Sequence, residues 1–178
     1  MPSTYELIKG ETIGSAAKSY NFTAIPSTFT DLCLRISVRS NDVDYAPPYA
    51  EAIIRPNGSA YDPSYTYLYG NGSTASSGRD TLGSANGYLF QAPATDATSN
   101  TFNNLEYYLP NYTVIQKKPS SLFNVFENNT TAADESQINV TAGLMADSTA
   151  AITSLLVYCK WGSFVAGSSF YLYGIKSS

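Results

Sequence analysis

The sequence predicts an all-β protein, an antiparallel β-sandwich of about ten short strands with essentially no helix. Three observations predict it. Apolar residues alternate with polar ones over short segments, and clusters of Gly, Pro, Asn and Asp separate those segments. Charged residues make up only 13% of the chain, about half the usual share. Asn, Ser, Thr and Tyr supply the polarity instead, and the first three favour turns over helix interiors because their side chains compete for backbone hydrogen bonds. At 178 residues the chain suits a single domain, residues 1–178. A chain of that size can bury roughly 70% of its unfolded surface without a disulfide or a metal.

The elements follow in order. Tyr5 to Lys9 reads as a strand, Gly10 and Gly14 bracket a turn, and Ala16 to Phe22 returns as a second strand. Pro26 makes Ala24 to Thr30 an extended connection. Asp31 to Ser40 has the cleanest alternation, with Leu32, Leu34, Ile36 and Val38 on one face and Cys33, Arg35, Ser37 and Arg39 on the other. It is the expected central strand. Asn41 to Pro48 is loop, and Tyr49 to Arg55 is a strand stopped by Pro56-Asn57-Gly58. Tyr65 to Tyr69 is a strand with three tyrosines on one face. Gly70 to Gly87, rich in Gly, Ser, Ala and Asn, reads as one long loop. Strands then follow at Tyr88–Gln91, Thr101–Leu109, Ser121–Phe126 and Gln137–Met145, the last with Ile138, Val140, Ala142 and Leu144 together. Ile152–Tyr158 and Ser169–Ile175 read as a closing hairpin, whose aromatic last strand must be covered by the rest of the sheet.

Composition narrows function. The net charge is −4 and only Lys117-Lys118 are adjacent cations, so the clustered basic face that nucleic acid needs is missing. No apolar run approaches membrane-spanning length. The first residues lack the basic and apolar regions of a signal peptide, which implies folding in a cytosol and makes the Asn-x-Ser/Thr triplets compositional. Cys33 and Cys159 fall in strands and read as buried thiols, with a disulfide between them left open.

Catalytic chemistry has little to work with. There is no histidine, which removes the His-dependent nucleophile systems and nearly all zinc sites. No phosphate-binding Gly motif follows a strand. Asp42, Asp44, Glu51, Asp62, Glu106, Glu127 and Glu135 are the carboxylates from which a glycosidase pair could be drawn, and they read as solvated charges, with Glu106 alone mid-strand. Asn41, Asp42, Asp44 and Asp62 offer oxygens for calcium at no EF-hand spacing. The expectation is therefore no enzyme, no cofactor and no metal. The fifteen tyrosines are the remaining signal. Rows at Tyr65, Tyr67 and Tyr69 and at Tyr171 and Tyr173 suit a contact surface for protein or sugar, or else cross-strand packing.

Several phrases carry a resemblance. They are Phe29-Thr30-Asp31-Leu32-Cys33-Leu34-Arg35-Ile36-Ser37, Tyr69-Gly70-Asn71-Gly72-Ser73, Asn100-Thr101-Phe102, Leu109-Pro110-Asn111-Tyr112 with Gln116-Lys117-Lys118-Pro119, Glu127-Asn128-Asn129, Ala142-Gly143-Leu144-Met145, Ala150-Ala151-Ile152-Thr153-Ser154, and Gly167 to Ile175. In this order, from about Tyr5 to Ile175, they resemble small β-sandwich virion structural proteins of tailed bacteriophages. These include capsid decoration (cement) proteins and related tail or fibre modules. The resemblance implies a jelly-roll-like sandwich, often a homotrimer, located on the virion after assembly in the host cytoplasm. Its partners would be the major capsid protein or other virion proteins. The alternative is a carbohydrate-binding receptor module of a tail or fibre, with a platform near Asn41–Pro48 and Gly70–Gly87. The resemblance supplies no catalytic residues. Cys159 and Trp161 stand where it would put ordinary strand residues.

Overall fold

Twelve strands form two antiparallel sheets in the computed structural model, which describes residues 4–43, 48–58, 63–81, 87–126, 136–145 and 148–176. The strands are β1 (Tyr5–Thr12), β2 (Ser19–Phe22), β3 (Asp31–Ser37), β4 (Tyr49–Pro56), β5 (Pro63–Gly70), β6 (Ala75–Thr81), β7 (Tyr88–Pro93), β8 (Asn104–Leu109), β9 (Lys118–Phe126), β10 (Gln137–Met145), β11 (Leu155–Cys159) and β12 (Ser169–Ile175). The large sheet runs β1-β12-β3-β8-β9-β10-β5-β6 and the small one β2-β11-β4-β7. The β-sandwich expected from the alternation is present, with no helix among the described residues.

The pairing has a simple logic. β1 pairs with β12, β2 with β11, β3 with β8 and β4 with β7. These eight strands are one long antiparallel ribbon folded back on itself. Successive pairs alternate between the sheets, and β12–β3 and β11–β4 contacts close it. Two hairpins are inserted into the ribbon. β5–β6 lies between β4 and β7 in the chain, and β9–β10 lies between β8 and β11. β9 adds to β8 and β5 adds to β10, so the hairpins extend the large sheet by four strands.

The core fills the ribbon. Leu32, Leu34, Ile36, Leu105, Tyr107, Leu109, Phe170 and Leu172 point in from the large sheet; Phe22, Ala52, Ile54, Phe90, Leu155 and Val157 point in from the small one. Each large apolar side chain buried there contributes roughly 1.5–3 kcal/mol before conformational entropy is subtracted. Tyr20 stacks on Phe170 with ring centroids 4.6 Å apart, and Phe164 meets Phe170 edge-on at 5.4 Å.

Several readings need correction. The closing pair is not a hairpin, because β11 sits between β2 and β4 while β12 sits between β1 and β3 in the other sheet. Their apolar faces oppose each other across the core, and the link between them crosses the gap through buried Phe164, which bridges Ala17 and Ser40. Gly10 belongs to β1, where Tyr171 lies so close that an added Cβ would stand 2.3 Å from its ring. Gly70–Gly87 is not one loop. Asn71 accepts from the Ser73 and Thr74 amides, Gly72 takes φ +87°, and the chain returns as β6. The strands at Ala16, Thr101 and Ile152 begin later than expected, and the strand from Asp31 ends earlier, at Ser37.

Three polar groups that sequence patterning missed clamp the loops. Arg39 donates to the carbonyls of Thr95, Ala97, Thr98 and Thr101, tying down the segment after β7. Lys118 is fully buried and its ammonium donates to the carbonyls of Val114, Gln116 and Thr149. Burial lowers the pKa of both cations. Asn103 and Asn124, each 1% exposed, hydrogen-bond to each other at 2.9 Å and both donate to the Gln91 carbonyl.

Candidate functional site

The four-stranded small sheet can cover only part of an eight-stranded partner. What overhangs is the extension made by the two hairpins, and its two faces differ. On the inner face β5 contributes Tyr65, Tyr67 and Tyr69, which alternate along the strand and are all half-buried. β10 sets Gly143, Thr141 and Asn139 directly opposite them, and on the other side β6 sets Gly78 opposite Tyr67 and Ser76 opposite Tyr69. Tyr88 and Leu89, from the edge strand β7 of the small sheet, form the facing wall. Together they enclose a groove of about 280 Å³.

Glycines shape this groove. A Cβ on Gly78 would fall 2.7 Å from the Tyr67 hydroxyl, so Tyr67 can lie across β6 only because residue 78 has no side chain. A Cβ on Gly143 would fall 2.3 Å from the Tyr88 ring, so Tyr88 rests on β10 in the same way. The Tyr65 and Tyr67 rings are 6.1 Å apart and inclined at 51°. Tyr88 also packs on Tyr107 at 5.1 Å, and burial pushes its pKa up to about 12. Thr141 donates to the Asn139 side-chain oxygen at 3.0 Å.

The outer face of the extension is apolar. Leu68 of β5, Val140 of β10 and Phe123 of β9 form one cross-strand row, 60%, 41% and 42% exposed. Ile138 adds a fourth exposed side chain in the next row. The row continues into the Arg35–Glu106 ion pair at 2.9 Å and then to Tyr171. Ile138, Val140, Ala142 and Leu144 do share a face, as the alternation implies. That face points away from the small sheet, and β10 turns Asn139 and Thr141 inward.

The two tyrosine rows therefore make no common surface. Tyr65, Tyr67 and Tyr69 line the inner groove. Tyr171 and Tyr173 are half-buried on the outer face of the ribbon, where Tyr171 covers Gly10 and Tyr173 meets Tyr5 edge-on at 6.4 Å. Sequence reasoning placed the β5 row but missed Tyr88, Ser76, Asn139 and Thr141. Asn139 and Thr141 had a signal, since they are the polar half of an alternating strand.

The candidate carboxylates are dispersed. Glu106 pairs with Arg35 on the outer face, and Glu51 of the small sheet accepts from Lys160 at 2.7 Å. Asp42 is 8% exposed, and its backbone carbonyl accepts from Thr95. Asp44, Asp62, Glu127 and Glu135 lie outside the described residues. Asn41 spends its side-chain oxygen on the Ser163 amide at 2.7 Å. Among the described residues no three His, Cys, Asp or Glu side chains cluster to hold a metal. Cys33 and Cys159 are both free and buried. Burial raises the Cys33 pKa to about 11 and raises that of Cys159 as well.

No family model, curated protein or solved structure matches this chain.

Proposed function

We propose that this protein is a virion structural protein of a tailed bacteriophage, working as a capsid decoration protein that binds the head shell through contact alone. The observation that carries this reading is the outer face of the extension. Leu68, Val140, Phe123 and Ile138 form a contiguous exposed apolar patch on a rigid body of low charge. Such a patch marks an interaction site more often than a scatter of single exposed residues does. The fold supports the reading too. A ribbon whose strands pair first with last, second with seventh, third with sixth and fourth with fifth supports a jelly-roll reading, an architecture recurrent in viral capsid proteins and lectins. The two hairpins would be insertions into it. The ordered phrases from Tyr5 to Ile175 supply the link to phage structural proteins.

The shell protein is the occupant assigned to the outer patch. A homotrimer would present three such patches, and the second and third contacts would then form at high effective concentration. Quantitative mass spectrometry of purified virions tests the reading. Copies in proportion to the sites of the capsid lattice are expected. A handful of copies per particle would place the protein on the tail and overturn the decoration role. Val140→Lys should abolish incorporation while leaving the purified protein folded.

A further inference from the structure

The geometry points to a second binding site, independent of the shell contact: the inner groove of the extension binds one or two rings of a neutral saccharide. Four features lead there. The first is the lining. Tyr65, Tyr67 and Tyr69 offer ring faces, and Ser76, Asn139 and Thr141 offer donors and acceptors beside them. A pyranose has the same split character, with an apolar C–H face and an equatorial ring of hydroxyls, so a mixed aromatic and amide wall satisfies both halves at once. Thr141 and Asn139 satisfy each other only in part, and a purely apolar ligand would leave the Asn139 amide nitrogen desolvated, which is costly.

The second is charge. The described lining residues are all uncharged, and the hydroxyl and amide groups they offer suit a neutral ligand better than an ion that needs an opposite charge on desolvation. The third is size. About 280 Å³ is just below the ~300–1,000 Å³ typical of drug-sized ligand pockets, which suits a single sugar ring with its neighbours lying in solvent. The tyrosine row spans about 13 Å at the usual rise per strand residue, so the groove can follow a short chain of rings. The fourth is preorganisation. Tyr67 is seated across Gly78 and Tyr88 across Gly143, both on sheet backbone, so two of the rings are held in place before any ligand arrives. Tyr67 is assigned as the central stacking platform, and Asn139 and Thr141 as the hydroxyl-reading groups.

Titration of the intact protein with neutral trisaccharides (maltotriose, cellotriose, chitotriose and mannotriose), followed by amide chemical shifts, tests the assignment. A glycan array should be run beside it. The expected result is saturable binding of at least one neutral glycan, with shifts centred on residues 65–69 and 139–141. Tyr67→Ala should weaken that binding at least tenfold, whereas Tyr171→Ala on the opposite face should leave it unchanged. If Tyr67→Ala does not fold, Asn139→Ala replaces it, with an expected loss of several-fold. Three results would overturn the proposal: no binding across the array, binding confined to sialylated or sulfated glycans, or binding that is indifferent to both variants. A proline-rich peptide that displaces no sugar yet shifts the same residues would reassign the groove to a peptide. Because the readout uses purified protein, failure here leaves the shell contact standing, and loss of virion incorporation leaves the groove standing.

Discussion

The four ribbon strands of the large sheet and the four strands of the extension are halves of one sheet, with the same alternating pattern and opposite consequences. In the ribbon, β3 turns Leu32, Leu34 and Ile36 inward, where none is more than 3% exposed. In the extension, β10 turns Ile138 and Val140 outward and leaves them 47% and 41% exposed. Alternation identifies two faces of a strand. Which face becomes core depends on where the second sheet lies, and here four strands cannot cover eight. The lesson is that apolar residues outside the covered area are free to serve another surface, and the tyrosines they displace inward are free to line a groove.

The largest expected effect breaks the symmetry between the halves. Phe170→Ala in the ribbon should cost about 3–5 kcal/mol in urea denaturation, the usual range for emptying a packed aromatic site. Leu68→Ala in the extension should change stability by less than about 0.5 kcal/mol. Equal losses would mean that both halves are packed cores.

Next comes the clamp at the start of the extension. Lys118→Met should destabilise by about 2–3 kcal/mol, because it strands three carbonyls that now share one ammonium. An unchanged denaturation midpoint would show that water replaces the ammonium. This residue illustrates the limit of reading the chain. Lys117-Lys118 looks like a pair of solvated cations, and nothing local marks the second as the partner of Val114, Gln116 and Thr149. β6 was missed for a related reason. Ala75-Ser76-Ser77-Gly78 has the composition of a loop, and it is a strand through its pairing with β5, with Gly78 set where Tyr67 leaves no room for a side chain. By contrast β3, β5, β8 and β12 were legible, since each carries its own period-two signal. The separation of β11 from β12 was not, because sheet membership is decided by pairing with strands about a hundred residues away or more, β2 and β4 for one, β1 and β3 for the other.

A smaller effect should appear in alkali. Tyr20 and Tyr88, raised first by burial, and Tyr108, raised first by its hydrogen bond to Asp31, all have pKa values pushed up to about 12. Each binds its proton more tightly folded than unfolded, where the value is near 10. Their contribution is therefore complete below pH ~10 and is lost as pH rises from there through about 12. Denaturation midpoints measured from pH 9 to 12 should hold steady and then fall. Tyr88→Phe should flatten part of that fall, and no change in slope would separate Tyr88 from the ionisation.

The most direct test is the accessibility of a single position in each half. Val140→Cys and Leu34→Cys, labelled with a maleimide in dilute native solution, report on the two faces, with Cys33 and Cys159 silent because both are buried. Val140→Cys should react at a rate close to that of an unfolded peptide, and Leu34→Cys only at the rate of global unfolding. Equal protection of the two would contradict an extension whose apolar face is open to a partner.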